Sequence, residues 1–345
     1  MWRQFFCRHI ASCGPFSGFG KDRINRMKIV VLERNSVGLD IDLSLYEKYG
    51  EVTYYPNTVK EDTAEKVKDA DIIIANKAPM NEETLKEASN VKLICEFATG
   101  YDNVDLEYCK KRGIKVANVV DYSTAAVAQH TFAMALYLAE KLSYYDNYVK
   151  SGTYGAQARF SHFDLPFTEL EGKTWGIIGM GNIGRKVAGI AQAFGCRVIF
   201  YSASGRSSCT DYPRVELDEL LEQSDYLSIH CPLSDRTRNL IDLAAMKKMK
   251  KTAYLINVAR GPVVNNDDLY TALEEGYIAG AGLDVLEKEP IQPENPLGKL
   301  KDSTKLIITP HMAWASTEAR IRLVEEVAKN MEAFLNGRDR NIVNP

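Results

Sequence analysis

Residues 172–206 read GKTWGIIGMGNIGRKVAGIAQAFGCRVIFYSASGR. Thr174–Ile178 is a short apolar run of the kind a buried strand makes. Gly179, Gly181 and Gly184 follow in G-x-G-x-x-G spacing, after which Val187, Ile190, Ala191 and Phe194 recur at helical intervals. Gly195 stops that helix and Arg197–Tyr201 is a second strand. Each glycine has its own task in such a unit. Gly179 allows a tight turn, Gly181 lets backbone approach a pyrophosphate, and Gly184 lets the helix lie close on the strand. The N–H groups and the helix dipole at Asn182 and Ile183 then face the phosphates. With a strand before it and a helix after it, this spacing predicts a dinucleotide-binding unit.

The 345 residues suit two domains, each able to bury its own core. A net charge of −3 gives no reason to expect nucleic acid or an anionic membrane as partner. No apolar run approaches membrane-spanning length. The 7 cysteines form no C-x-x-C pair and no His cluster accompanies them, so reduced cytoplasmic thiols are expected and no metal site.

Upstream of the glycine-rich unit, strands are expected at Lys28–Leu32, Val52–Tyr55, Ala70–Ala75, Leu93–Phe97 and Lys115–Ala117. Helices are expected near Leu43–Tyr49, Thr63–Val67, Asn81–Glu87 and Asp105–Arg112. Such alternation implies a parallel sheet covered by helices, with ligands at the carboxyl ends of its strands. Two of those ends draw notice. Lys77, in Asn76-Lys77-Ala78-Pro79, can meet a substrate carboxylate, and Ala98-Thr99-Gly100 offers backbone N–H groups suited to an anion. A long helix is expected from Thr124 to about Val149; its small and apolar faces point to tight packing or a subunit contact, and a homodimer is expected. A polar loop, Ser151–Thr168, follows. Met1–Arg26, basic and acid-poor, reads as a disordered extension or an upstream start, with a targeting segment as the alternative; lacking a long apolar run, it does not read as a secretion signal.

Downstream the α/β rhythm continues. Strands are expected at Tyr226–His230, Ala253–Val258, Ile278–Val285 and Lys305–Thr309, and helices at Leu217–Gln223, Leu243–Met249, Asp267–Glu275 and Thr317–Leu335. Arg260, Glu289 and His311 lie just past three of these strand ends. Singly, each reads as a surface cap, a turn charge or a loop histidine; together at one sheet edge they read as a reactive constellation.

Five ordered motifs carry a family resemblance. Ile256–Val264 (INVARGPVV), Gly280–Pro290 (GAGLDVLEKEP) and Thr309–Ala313 (TPHMA) resemble the arginine, glutamate and histidine signatures of the D-isomer-specific 2-hydroxyacid dehydrogenases. Phe97–Asp105 (FATGYDNVD) and Ala126–Thr131 (AVAQHT) match as well. Phe163–Phe167 and Asn76-Lys77 are similar to the glycerate dehydrogenase/hydroxypyruvate reductase branch. The resemblance implies a Rossmann dinucleotide-binding domain, residues 123–310, inserted in a flavodoxin-like α/β substrate domain, residues 27–122 and 311–345. It places the site in a cleft whose closure excludes water. It also implies that Asp284 accepts from the nicotinamide carboxamide, and that Cys231, Pro232, Thr237, Val258 and Ala259 contact the cofactor.

The chemistry follows from the residue types. A 2-oxo acid is an anion with an adjacent carbonyl, and the planar donors of Arg260 can grip both. Negative charge grows on the carbonyl oxygen as hydride arrives; protonated His311 gives that oxygen a proton, and in oxidation it acts as base. Glu289 can accept from the other ring nitrogen, favouring imidazolium and fixing its orientation. One departure concerns the cofactor. NAD-linked relatives usually place Asp at the end of the second cofactor strand, and here Ser202 stands there, followed by Ala203-Ser204-Gly205-Arg206. Nothing in that stretch repels a 2′-phosphate, Ser202 and Ser204 can donate, and Arg206 can pair with it, so NAD(P)(H) is expected with a lean to NADP(H). The reading is an NAD(P)-dependent reductase of small 2-oxo acids such as hydroxypyruvate or glyoxylate. The alternatives are a dinucleotide-sensing interaction protein resembling the C-terminal-binding-protein corepressors, or formate- or phosphite-type oxidation.

Overall fold

The computed structural model describes residues 27–345, and the expectation for Met1–Arg26 lies outside them. The chain divides into two units: described residues up to Tyr122 together with Thr317–Pro345, and Ser123–Ser316.

The first unit holds a parallel sheet of five strands: β1 Lys28–Val31, β2 Glu51–Tyr54, β3 Ile72–Ala75, β4 Leu93–Glu96 and β5 Lys115–Ala117, in the order β2-β1-β3-β4-β5. That order is the flavodoxin-like one. β3 (IIIA) and β4 (LICE) are buried along their whole length, as strands covered on both faces must be. Helix Leu106–Lys111 starts where the Asp105 side chain accepts the Tyr108 N–H at 2.9 Å. The expected helix at Leu43–Tyr49 is a 3₁₀ helix, Ser44–Tyr49. Leu43, Tyr46 and Tyr49 are all buried, and a spacing of three matches the tighter winding. The final helix, Thr317–Leu335, buries Leu323, Val324, Val327, Ala328 and Met331 as one stripe, and Val324 O accepts the Tyr46 hydroxyl at 3.1 Å.

The second unit holds six parallel strands: β6 Thr174–Ile178, β7 Arg197–Tyr201, β8 Tyr226–Ile229, β9 Tyr254–Asn257, β10 Gly280–Leu283 and β11 Leu306–Ile308. Their order is β11-β10-β9-β8-β6-β7, so the winding direction reverses between β6 and β8. One face carries Phe132 of helix Thr124–Ala139 on Trp175, with ring centroids 4.5 Å apart, and helix Asn182–Ala193 beside it. The other face is covered by helices Leu217–Gln223, Leu243–Lys248 and Asn266–Glu274.

Two expectations are corrected in this unit. The long helix from Thr124 breaks into Thr124–Ala139 and Leu142–Lys150, with Lys141 left-handed at φ 52° between them. Lys141 Nζ donates to Tyr254 Oη at 2.9 Å and Thr304 O at 3.3 Å, a tertiary anchor with no local sequence signal. The unit also runs on to Ser316 rather than stopping at Pro310. His311 N donates to Asp284 O (2.9 Å), and Met312 N and Ala313 N donate to the Asp284 carboxylate (both 2.8 Å), which ties the His311 segment to β10. Among the described residues, no helix is long and apolar enough to cross a membrane.

Candidate active site

At the point where the winding reverses, β6 leads into Gly179 and β8 leads into His230-Cys231. A Cβ at Gly179, whose φ is +97°, would lie 2.8 Å from Cys231 N; one at Gly184 would lie 2.2 Å from Gly179 O. Only glycine permits this close turn and the close start of the helix above it. A Cβ on Gly181, by contrast, would meet nothing within 4 Å. Gly181 and Asn182 are exposed, Ile183 is half-buried, and helix Asn182–Ala193 begins at Gly181 without a side-chain cap. An open, glycine-walled helix start at the reversal of an α/β sheet fits a pyrophosphate. Facing it, Cys231 is buried, which pushes its thiol up to about 11, and Pro232 is exposed. The Thr237 hydroxyl accepts from Ser234 N and donates to Pro232 O, each at 2.8 Å, so it shapes this loop. Burial pushes the neighbouring His230 down to about 3.

Past β7, Ser202 is buried, and Ser204 and Arg206 are exposed; Arg206 N donates to Ser204 Oγ at 3.2 Å. A second cation that sequence reasoning missed stands by this turn: Arg214 pairs as a bridge with Phe200 of β7, and its Nη1 donates to Gly205 O at 3.1 Å. Only the strand pairing reveals it.

β9, β10 and β11 are neighbours, and Arg260, Glu289 and His311 follow their carboxyl ends. Asn257, fully buried at the end of β9, accepts from Ala259 N (3.1 Å) and donates to Arg260 O (3.0 Å), which fixes the Val258–Arg260 turn. A polar residue closing an apolar strand was the signal for it. Arg260 Nη1 donates to Ala259 O at 2.9 Å, and a Cβ on Gly261 would fall 1.9 Å from Leu286 O. The arginine turn therefore presses on the loop that carries Glu289. Glu289 Oε1 accepts the Leu286 N–H at 3.0 Å, and Oε2 lies 2.6 Å from His311 Nδ1. A carboxylate on Nδ1 holds the proton there and leaves Nε2 as the ring atom for proton exchange. His311 is itself left-handed at φ +54°, a conformation non-glycine residues adopt at a cost of about 1–3 kcal/mol when the surroundings impose it.

Asp284, only 2% exposed, binds this segment from below. Besides Met312 and Ala313 N–H groups it accepts the Thr309 hydroxyl at 2.5 Å, and His130 Nε2 lies 2.9 Å from the same hydroxyl oxygen. Sequence reasoning named His130 only within a motif and missed Thr309 as a partner.

In the first unit, Lys77 is exposed after β3, and Glu33 takes the N–H groups of Asn76, Lys77 and Ala78 (2.7, 2.9 and 3.3 Å to Oε2). Ala98, Thr99 and Gly100 follow β4; the Thr99 hydroxyl donates to Val119 O at 2.7 Å. β4 ends in Glu96, fully buried, whose carboxyl burial raises to about 8. Among the described residues no group of His, Cys, Asp or Glu could hold a metal ion.

The family profile described as D-isomer specific 2-hydroxyacid dehydrogenase, NAD binding domain, matches residues 132–313. A hydroxypyruvate reductase of Blautia hydrogenotrophica is 39% identical over 324 residues, spanning 92% of this chain and 100% of that protein. An acyclic imino acid reductase solved with NADPH and D-Arg superposes with a TM-score of 0.81 at 30% identity, covering 92% of this chain and 100% of that one. D-lactate dehydrogenase from Aquifex aeolicus, solved with NAD and lactic acid, gives a TM-score of 0.80 at 31% identity over 92% and 99% of the two chains.

Proposed function

The chain belongs to the D-isomer-specific 2-hydroxyacid dehydrogenase family and is a nicotinamide-dinucleotide-dependent reductase of 2-oxo acids, and we propose that it acts on hydroxypyruvate or glyoxylate with NADPH favoured over NADH. The observation that carries the catalytic assignment is the 2.6 Å contact between His311 Nδ1 and Glu289 Oε2. A bound reduced nicotinamide supplies the hydride. Arg260 grips the substrate carboxylate and carbonyl oxygen with its planar fork. His311, charged and oriented by Glu289, gives its Nε2 proton to the carbonyl oxygen as charge develops there; in the reverse direction the same nitrogen removes it. Asp284 accepts from the carboxamide of the cofactor, and Lys77 with the Ala98–Gly100 turn is assigned to the substrate anion.

The cofactor lean rests on the Ser202–Arg206 turn, which has the donors Ser202 and Ser204, the cation Arg206 and no carboxylate, and on Arg214, which reaches Gly205 O from outside it. A homodimer is supported by exposed Leu142, Val149, Phe160, Phe163 and Phe167 on the second unit, with Phe160 91% exposed. Buried free thiols at Cys95, Cys109, Cys196, Cys209 and Cys231 support a reducing, cytoplasmic setting. The sensing and formate- or phosphite-type readings are not favoured, because similar curated proteins carry the names hydroxypyruvate reductase, glycerate dehydrogenase and glyoxylate reductase. The test is kcat/KM for hydroxypyruvate, glyoxylate, pyruvate and longer 2-oxo acids with each reduced cofactor. Hydroxypyruvate or glyoxylate should lead with NADPH; a preference for pyruvate or a branched 2-oxo acid would contradict the substrate, and a preference for NADH would contradict the cofactor.

A further inference from the structure

In the half-buried chain His130–Thr309–Asp284, the steps above use Asp284 alone. The Thr309 hydroxyl has one proton, and at 2.5 Å it gives it to Asp284 Oδ1. Toward His130 Nε2, 2.9 Å away, the same oxygen can then only accept, so the imidazole carries its proton on Nε2. Two donors in series, Nε2–H to Thr309 and Thr309 to Asp284, polarise one another and pull the carboxylate toward one rotamer. His130 Nε2 lies 3.6 Å from Asp284 Oδ1, so the relay rather than a direct bond carries the contact.

The carboxylate so held is crowded in one direction. Oδ1 accepts Thr309 and Met312 N, whereas Oδ2 accepts Ala313 N. A carboxylate oxygen has room for two donors. The backbone of the same residue accepts His311 N at 2.9 Å, so the rotamer of Asp284 and the left-handed setting of His311 belong to one hydrogen-bonded knot. His130 comes from helix Thr124–Ala139 and is 18% exposed at its side chain, so the knot is pinned to the helix as well as to β10 and β11.

We propose that His130 is a positioning residue: through Thr309 it fixes the Asp284 carboxylate in the rotamer that receives the nicotinamide carboxamide. The proposal rests on the assignment of Asp284 made above. Its effect is confined to the nicotinamide half of the cofactor, because the pyrophosphate cradle lies at Gly179–Gly184 on other elements.

Binding to the full-length protein, measured by calorimetry, separates the cases. The probes are NADPH and 2′-phospho-ADP-ribose, which lacks nicotinamide. His130→Leu and Thr309→Val, each near-isosteric, should weaken NADPH roughly three- to tenfold, the range of one net hydrogen bond, and leave 2′-phospho-ADP-ribose unchanged. Combined, they should cost no more than Thr309→Val alone, since both cut one chain. His130→Gln, which keeps a donor, should restore most of the loss. Equal weakening of both probes would mean a merely structural role and overturn the proposal, as would unchanged NADPH binding in both variants. Asp284→Asn tells apart the two possible failures. If it weakens NADPH while His130→Leu and Thr309→Val do not, the relay is refuted; if it too is silent, Asp284 does not meet the carboxamide.

Discussion

His311 owes its usefulness to two constraints that act on different atoms. Glu289 holds Nδ1 at 2.6 Å, and the backbone bond to Asp284 O holds the residue left-handed. Removing the anion takes away the charge-assisted contact on Nδ1. Glu289→Gln should therefore lower kcat for reduction, because the ring loses the anion on Nδ1; an unchanged kcat would contradict this role. At Arg260, charge and shape separate. Arg260→Lys keeps the cation and loses the planar fork, so KM for the 2-oxo acid should rise and kcat should fall by about tenfold or more, as loss of one charge-assisted bond implies. Unchanged steady-state kinetics would remove Arg260 from the site.

At the level of elements, the turn after β7 is the place where one substitution can reverse a preference. Ser202→Asp puts a carboxylate where a 2′-phosphate would sit and where ribose hydroxyls can be held; NADH should become the better cofactor. Arg206→Ala and Arg214→Ala should each weaken NADPH about three- to tenfold and spare NADH, less than a buried pair would lose because both side chains are exposed. Ratios of kcat/KM for the two cofactors measure this, and silence in both alanine variants would return the turn to solvent.

This turn also shows what a sequence can and cannot disclose. The apolar runs and helical spacings located β6, β7, Leu217–Gln223 and Thr317–Leu335 to the residue, because each is set by burial of its own side chains. Lys141 was invisible because a left-handed break depends on Tyr254 and Thr304, both distant in the chain. Arg214 was invisible for the same reason, since only pairing with Phe200 brings it to Gly205. The placement of Arg260, Glu289 and His311 past neighbouring strand ends was legible because strand ends of an α/β sheet share one edge, whereas the His130–Thr309 contact needed the helix packed in place.

For the whole molecule, two buried groups should shape stability against pH. Burial raises Glu96 to about 8 and lowers His230 to about 3, and His230 Nδ1 has no partner. Considering these two alone, unfolded and folded chains bind equal numbers of protons between the ordinary values of 4.5 and 6.5, so stability is flat there. From 6.5 up to about 8, the folded chain keeps the Glu96 proton that the unfolded chain has lost, and stability falls by about 1.4 kcal/mol per pH unit. From 4.5 down to about 3, the unfolded chain takes the His230 proton that the folded chain refuses, and stability falls again. Thermal melts of wild type and Glu96→Gln check the sign: the variant should lose the alkaline decline and keep the acid one.

The catalytic reading itself stands or falls on a single comparison: NADPH-dependent reduction of hydroxypyruvate by wild type and His311→Gln, with NADPH affinity measured on the same samples. Wild type should turn over and yield the D-hydroxy acid. The variant should lose about a hundred- to ten-thousand-fold in kcat, the range of general acid–base catalysis, while binding NADPH as before. Near-native turnover in His311→Gln would show that the proton comes from elsewhere.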